Sequence, residues 1–283
     1  MKLCTFDEGE GPLTGVIEGD EILPLRDTVE MIELIERGAG WAPAGPRLPL
    51  HSTRLLAPIV PERNVFCVGW NYSEHFAEGK DFRPASAPQE IPDHPALFSK
   101  NPFAIVGPRA GVRHPAPISD QLDYEVELAV IIGRGGRDIA ESDALDHIFG
   151  YTVANDVSVR DVQRSWHGGQ WFKGKNFDTH LPLGPWIVTK DEIPDPQALR
   201  LTTKVNGVIK QDSNTRHMVF SVARIIAELS AGLTLRPGDV IITGTPEGVG
   251  MGRKPPEWLK VGDIMELEIE KIGILRNQVE RSG

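Results

Sequence analysis

The sequence predicts a mainly β protein with some α, a sandwich or rolled barrel preceded by a small α+β unit, and three observations carry that prediction. Short runs rich in β-branched and aromatic residues recur from about residue 60 onward: NVFCVGW, ELAVIIG, GYTVAND, PWIVT, LTTKVNG, VIITGT and IMELEIE. Turn sequences separate several of them, among them Val205-Asn206-Gly207-Val208, an Asn-Gly hairpin signal, and Arg236-Pro237-Gly238-Asp239. Beyond the amino-terminal unit only one segment, Ser221 to Ala231, carries a clear helical stripe, and many strands with few helices pack as a sandwich or barrel.

Taken in order, residues 1–58 read as the small amino-terminal unit and residues 59–283 as the main domain. TGVIEGDEILPL is a hairpin around Gly19-Asp20, followed by a short helix that Asp27 or Thr28 caps, with Ile32 and Ile35 facing inward and Gly38 ending it. GAGWAPAGPRLPL has the proline and glycine content of a connection between units. Between Phe82 and Pro95, FRPASAPQEIPDHP is too long for a simple link and reads as a lid or a disordered loop. In the helix from Ser221, Val222, Ile225, Ile226 and Leu229 form one stripe, and Gly232 follows its end.

A chain of 283 residues with a net charge of -10 has room for a large core and is a poor partner for nucleic acid, whose binding relies on lysines and arginines that displace counterions. Cys4 and Cys67 lie far apart without CxxC spacing, as buried reduced thiols would. MKLCTFDEGEGPL has no apolar core of signal-peptide length, and no window approaches the roughly 18 apolar residues that span a bilayer. A cytoplasmic protein that avoids membranes is expected.

In LDYEVELAVIIG, Leu122 to Gly133, strand alternation puts Leu122, Tyr124, Val126, Leu128 and Val130 on one face and Asp123, Glu125 and Glu127 on the other. Carboxylates two residues apart on a strand lie on the order of 7 Å from each other, which leaves a solvated outer face or a metal site. IMELEIEK, Ile264 to Lys271, shows the same alternation at Glu266, Glu268 and Glu270 and has no claim to a metal, so the pattern alone does not decide. Asp156, in GYTVANDVSVRDVQ, has small neighbours; with two glutamates it would complete a hard oxygen site for Mg2+ or Mn2+, or else be a buried aspartate bonded to backbone.

In GWNYSEHFAEGK, Ser73 caps a single helical turn that sets His75 and Glu78 three residues apart on one face, as a base and its orienting carboxylate or as plain surface helix. Lys100, Arg160 and Lys175 are the cations in suggestive settings, Lys175 beside two aromatics where partial burial would hold its charge against an anion. GTPEGVG, Gly244 to Gly250, lacks the lysine and hydroxyl of a phosphate loop and reads as a tight backbone approach, for which a ligand is one candidate; GxSxG, HExxH and GxxxxGK[ST] are absent.

The ordered set GWNYSEH, FSKNP, LDYEVELAVIIG, GYTVANDVSVRDVQ, GKNFD, KVNG and PGDVIITGTPEGVG, from about Asn64 to Glu280, resembles the fumarylacetoacetate hydrolase family in its shorter, acylpyruvase-like branch. The resemblance implies a mixed β-roll or β-sandwich fold, a homodimer, and a divalent cation, Mg2+ or Mn2+ with Ca2+ able to stand in for it in crystals, held by Glu125, Glu127 and Asp156. It places the water-activating pair on His75 and Glu78, the catalytic lysine on Lys175, and substrate contacts on Arg160, Gln163 and Thr245.

The expected activity is carbon-carbon bond hydrolysis of 2,4-dioxo acids of the acylpyruvate or fumarylpyruvate type. In that scheme the cation chelates the substrate's carboxylate and 2-oxo group, His75 deprotonates a water that attacks the 4-carbonyl, and Lys175 stabilises the oxyanion. Oxaloacetate-type decarboxylation ranks second and isomerisation or hydration of unsaturated 2-oxo dicarboxylic acids in aromatic catabolism third. A catalytically silent metal-binding dimer is the alternative from another class.

Overall fold

The structure is a computed structural model that describes residues 1–9, 11–25, 30–38, 42–83 and 87–282. Among these residues, strands form two large open sheets and a short ribbon, as a mainly β prediction requires. The larger, twelve-stranded sheet runs in neighbour order through Leu48–Pro49, Glu21–Pro24, Pro12–Glu18, Lys2–Asp7, Leu181–Thr189, Ile148–Asn155, Val126–Ile132, Val240–Ile242, Val65–Gly69 and Ala96–Lys100. Arg54–Leu55 and Ile105–Val106 branch from it. The five-stranded sheet runs Val208–Asn214, Arg200–Val205, Ile264–Ile269, Gly273–Glu280 and Gly111–Arg113. Leu122–Asp123 pairs with Ser158–Val159 as the ribbon.

The central strand, Val126–Ile132, is buried along its whole length because both of its faces are covered. Val126, Leu128 and Val130 pack into a core shared with Leu201, Met265, Leu267 and Leu275 of the five-stranded sheet. Ala129 and Ile131 pack on the other side with Leu3, Met31, Leu34 and Ile35. Two covered faces explain a near-continuous apolar run where one-sided burial would have produced sustained alternation. The residues of the amino-terminal unit therefore join the larger sheet, Lys2 and Leu3 pairing with Val188 and Ile187, and share one of its two main cores.

Local signals set the remaining elements. The hairpin at Gly19-Asp20 forms with Glu18 opposite Glu21, and the Asn206-Gly207 turn forms with both residues at positive φ, 51° and 78°, between Val205 and Val208. The first helix, α1 (Met31–Arg37), buries Met31, Leu34 and Ile35, leaves Ile32 half-buried, and is closed by Gly38 at φ +74°. Asp27 and Thr28, the expected caps, lie outside the described residues. The helices α2 (Ser73–Glu78), α3 (Arg160–Ser165) and α4 (Phe172–Lys175) are single turns or little more. The longest, α5 (Val222–Ser230), starts at Ser221, whose hydroxyl accepts the Arg224 N–H at 3.1 Å, and buries Val222, Ile225, Ile226 and Leu229.

Two expectations need correction. Leu122 to Gly133 is not one strand: pairing stops after Asp123 and resumes at Val126, and Asp123, Glu125 and Glu127 are all buried, so no solvated outer face exists there. Ser73 is the first helical residue of α2 and makes no capping bond, since Tyr72 occupies the cap position. Gly79 ends α2 as its C-cap, and a separate 3-10 turn, Lys80–Phe82, follows directly. By contrast Glu268 and Glu270 are exposed and Glu266 half-buried, the one-sided strand that IMELEIEK suggests. No helix among the described residues is long and apolar enough to cross a membrane, and Cys4 and Cys67 are free and buried.

Candidate active site

The break at Tyr124-Glu125 builds the site. Where strand Ile148–Asn155 ends, the Asn155 side-chain oxygen accepts the Glu125 N–H at 3.0 Å, and the Asp156 N–H donates to the Glu125 carbonyl at 3.0 Å. From the other side Gln211 accepts the Val126 N–H at 3.1 Å. These bonds satisfy backbone groups that a sheet ladder would otherwise take, and they leave the Glu125, Glu127 and Asp156 carboxylates buried, with one oxygen of each within 4.8 Å of the others.

Buried charges need partners, and here the pairing runs as a chain. Lys100 contacts Asp156 at 2.7 Å, Asp156 contacts Lys175 at 2.6 Å, and Lys175 contacts Glu125 at 2.7 Å. Glu125 in turn meets Arg160 at 2.7 Å, and Arg160 donates to Asp123 at 2.8 Å. Four carboxylates thus face three cations, and Glu127 is the one left without an ion pair among the described residues; it accepts the Gly244 N–H at 2.6 Å. Burial alone would raise Glu125, but Lys175 and Arg160 hold its carboxyl well below the usual range. Burial, reinforced by Asp156 and Glu125, pushes Glu127 well above it. An all-carboxylate, buried, anion-rich donor set fits a hard divalent cation.

Across from the triad, His75 and Glu78 of α2 meet at 2.7 Å between Nδ1 and Oε1, and the second Glu78 oxygen accepts the Gly248 N–H at 2.9 Å. The glycine-rich loop after strand Val240–Ile242 thereby serves the protein's own carboxylates: Gly244 donates to Glu127, Gly248 to Glu78, and Gly250 to Asp123 at 2.7 Å. This answers what its backbone approaches, and side chains are excluded for steric reasons. A Cβ on Gly248 would lie 2.2 Å from the Lys210 carbonyl, and one on Gly250 would lie 2.0 Å from the Glu257 carbonyl.

These groups open onto one cavity of about 590 Å³. His75, Glu125, Glu127, Asp156, Arg160, Gln163, Lys175 and Thr245 line it, while Glu78 stands behind His75. Lys175 is 2 % exposed, more buried than its sequence neighbours suggest, with Nζ 5.2 Å from the centre of the Phe98 ring. Gln163 accepts from Arg160 at 3.1 Å, and Thr245 accepts from Gln211 at 2.8 Å. Phe82, Arg83, Ala87 and Pro88, from the long loop and its start, also line the cavity.

Two contributors escape sequence reasoning. Asp123 reads as a third carboxylate in the row, yet it is fully committed, accepting from Tyr124, Gly250, Met251 and Arg160. Gln211 links Val126, Thr203 and Thr245 and has no local signal at all.

Comparison with known proteins agrees with this architecture. Residues 64–280 match the fumarylacetoacetate (FAA) hydrolase C-terminal family and residues 1–58 the Rv2993c-like N-terminal family. The chain belongs to the fumarylacetoacetate hydrolase family and is an enzyme of that family. Among relatives, the mitochondrial oxaloacetate tautomerase FAHD2A of Bos taurus is 45% identical over 257 residues, 88% of this chain and 79% of that one. The oxaloacetate tautomerase YisK of Bacillus subtilis is 42% identical over 231 residues, 81% of this chain and 74% of that one. Among solved structures, a fumarylacetoacetate hydrolase from Exiguobacterium antarcticum superposes with a TM-score of 0.87 at 42% identity, each chain fully covered. A 2-hydroxyhepta-2,4-diene-1,7-dioate isomerase from Mycobacterium marinum does so at 0.80 and 37%, covering 100% of this chain and 99% of that one.

Proposed function

We propose that this protein catalyses the metal-dependent interconversion of enol and keto forms of a 2-oxo acid of the oxaloacetate type. The observation that carries the reading is that a buried carboxylate triad and an oriented histidine open onto the same cavity. Glu125, Glu127 and Asp156 would hold Mg2+ or Mn2+, which when bound supplies a Lewis acid for the oxo group. The remaining work belongs to the chain. Glu78, fixed by Gly248, accepts from Nδ1–H of His75 and leaves Nε2 as the proton-transfer atom. Lys175 and Arg160 keep Glu125 ionised, and Gln163 and Thr245 offer polar contacts to a bound oxo acid.

Tautomerisation needs one acid-base group and no attacking water, and relatives that share most of this chain are named for it. Carbon-carbon hydrolysis, the first expectation from sequence, is the second reading, favoured by the family and by a neighbour named as a fumarylacetoacetate hydrolase. In it His75 takes its proton from water. A homodimer accompanies either reading; Leu97, Phe103 and Phe172 are exposed on segments that Asn176 ties together.

The deciding experiment follows enol absorbance of freshly dissolved oxaloacetate with and without Mg2+ or Mn2+, and pyruvate release from oxaloacetate and from an acylpyruvate in parallel. Metal-dependent loss of enol without pyruvate is expected, falling about a hundredfold or more in His75→Gln. Pyruvate from the acylpyruvate would put hydrolysis in its place, and no effect on any of these substrates would sink both readings.

A further inference from the structure

Two arginines on the rim of the cavity make no ion pair among the described residues. Arg83, just after α2, lies with its guanidinium 3.5 Å from the centre of the Phe76 ring and 5.8 Å from that of Trp70, and it donates to the Phe76 carbonyl. Arg164, on α3, lies 4.9 Å from the centre of the Phe82 ring and donates to the Arg160 carbonyl at 3.1 Å and to Gln121 at 3.3 Å. Both are half-buried and both line the cavity. Among the described residues neither makes an ion pair, although most other arginines of the chain do. Burial lowers the guanidinium pKa of Arg83, and burial together with the neighbouring Arg160 charge lowers that of Arg164 against a smaller opposing effect of Asp161.

Guanidinium groups set against aromatic faces and backbone carbonyls are held in place while keeping donors to spare, and the fork they present matches a carboxylate. Their location fits the length of a small diacid. Arg164 follows Arg160 by one helical turn, roughly 6 Å along the axis, and Arg160 reaches Glu125 at the floor. A substrate whose oxo-acid end meets the triad would carry a second carboxylate at about that height.

We propose that Arg83 and Arg164 form a seat for the distal carboxylate of the substrate, which makes the site selective for dicarboxylic over monocarboxylic 2-oxo acids. The proposal rests on the oxo-acid reading of the cavity and adds the residues that set its preference for a second carboxylate. The arginines approach from different elements, the turn after α2 and helix α3, so an occupying carboxylate also bridges the two walls of the entrance.

The test compares two stable ligands of equal carbon count, malate and 2-hydroxybutyrate, which differ in the distal carboxylate. Their affinities for the Mg2+-saturated protein are measured calorimetrically in the wild type, Arg83→Gln, Arg164→Gln and Arg164→Lys. The wild type is expected to prefer malate, with the preference falling about tenfold in each Gln variant and part of it retained in Arg164→Lys. Melting temperatures within a few degrees of wild type show that the loss is not unfolding. No preference in the wild type, or an unchanged preference in both Gln variants, overturns the seat. A preference that depends on the arginines in a protein that fails to tautomerise oxaloacetate upholds the seat and rejects the proposed reaction alone.

Discussion

Glu127 sits 1 % exposed, beside two other carboxylates, with a backbone N–H where its neighbours have lysines and an arginine. Its charge is the surplus of the site. Replacing it by the neutral isostere removes a group that the fold must either bury charged or hold protonated above its usual range, so Glu127→Gln is expected to raise the melting temperature of the metal-free protein by on the order of 2–4 °C. It should also abolish the rise that Mg2+ or Mn2+ produces in the wild type. Thermal melts with EDTA and with each metal check both halves; a variant that melts lower without metal, yet is still stabilised by it, would show that Glu127 is neither surplus nor ligand. The carboxylates themselves were visible in the sequence, but alternation alone could not rank them. Glu268 and Glu270 follow the same pattern into solvent, and the difference lies in what covers each strand.

At the scale of elements, the loop from Gly244 to Gly250 aligns three carboxylates with three backbone donors. Gly248→Ala must place a Cβ at φ +97° and 2.2 Å from a carbonyl oxygen, a strain of roughly 2 kcal/mol or more. The loop is expected to shift and release Glu78, lowering turnover about tenfold while the metal-induced stabilisation persists. Turnover and metal-dependent melting measured on the same preparation separate that outcome from general unfolding, in which both fall. Hairpins at Gly19-Asp20 and Asn206-Gly207 and the helix α5 were legible because their determinants are adjacent in sequence. The loop's acceptors lie 117, 170 and 127 residues from their donors, and no periodicity reports on such distances. The same holds for the break at Tyr124-Glu125, which depends on Asn155 and Gln211.

Across the whole molecule, the amino-terminal residues are fastened to the rest by more than a linker. Leu3, Met31, Leu34 and Ile35 belong to the core that covers Ala129 and Ile131, and strand Lys2–Asp7 closes an edge of Leu181–Thr189. A chain of residues 59–283 would expose that apolar face and an unpaired edge. It is expected to be insoluble, or to bind a hydrophobic dye and lose near-ultraviolet circular dichroism; a monodisperse fragment with native spectra would show that the two sequence units are also two folding units. The ion-pair chain from Lys100 through Asp156, Lys175, Glu125 and Arg160 to Asp123 ties together the strand Ala96–Lys100, the break at Glu125, α3 and α4. Substitution anywhere along it strands a buried charge, so the floor of the cavity has little freedom to vary. Phe82, Arg83, Arg164 and Gln170 line the same cavity outside that ion-pair chain, so substitutions there are expected to alter selectivity with less cost to stability. The cavity thus joins a floor locked by its own charges to a rim that carries none of that network.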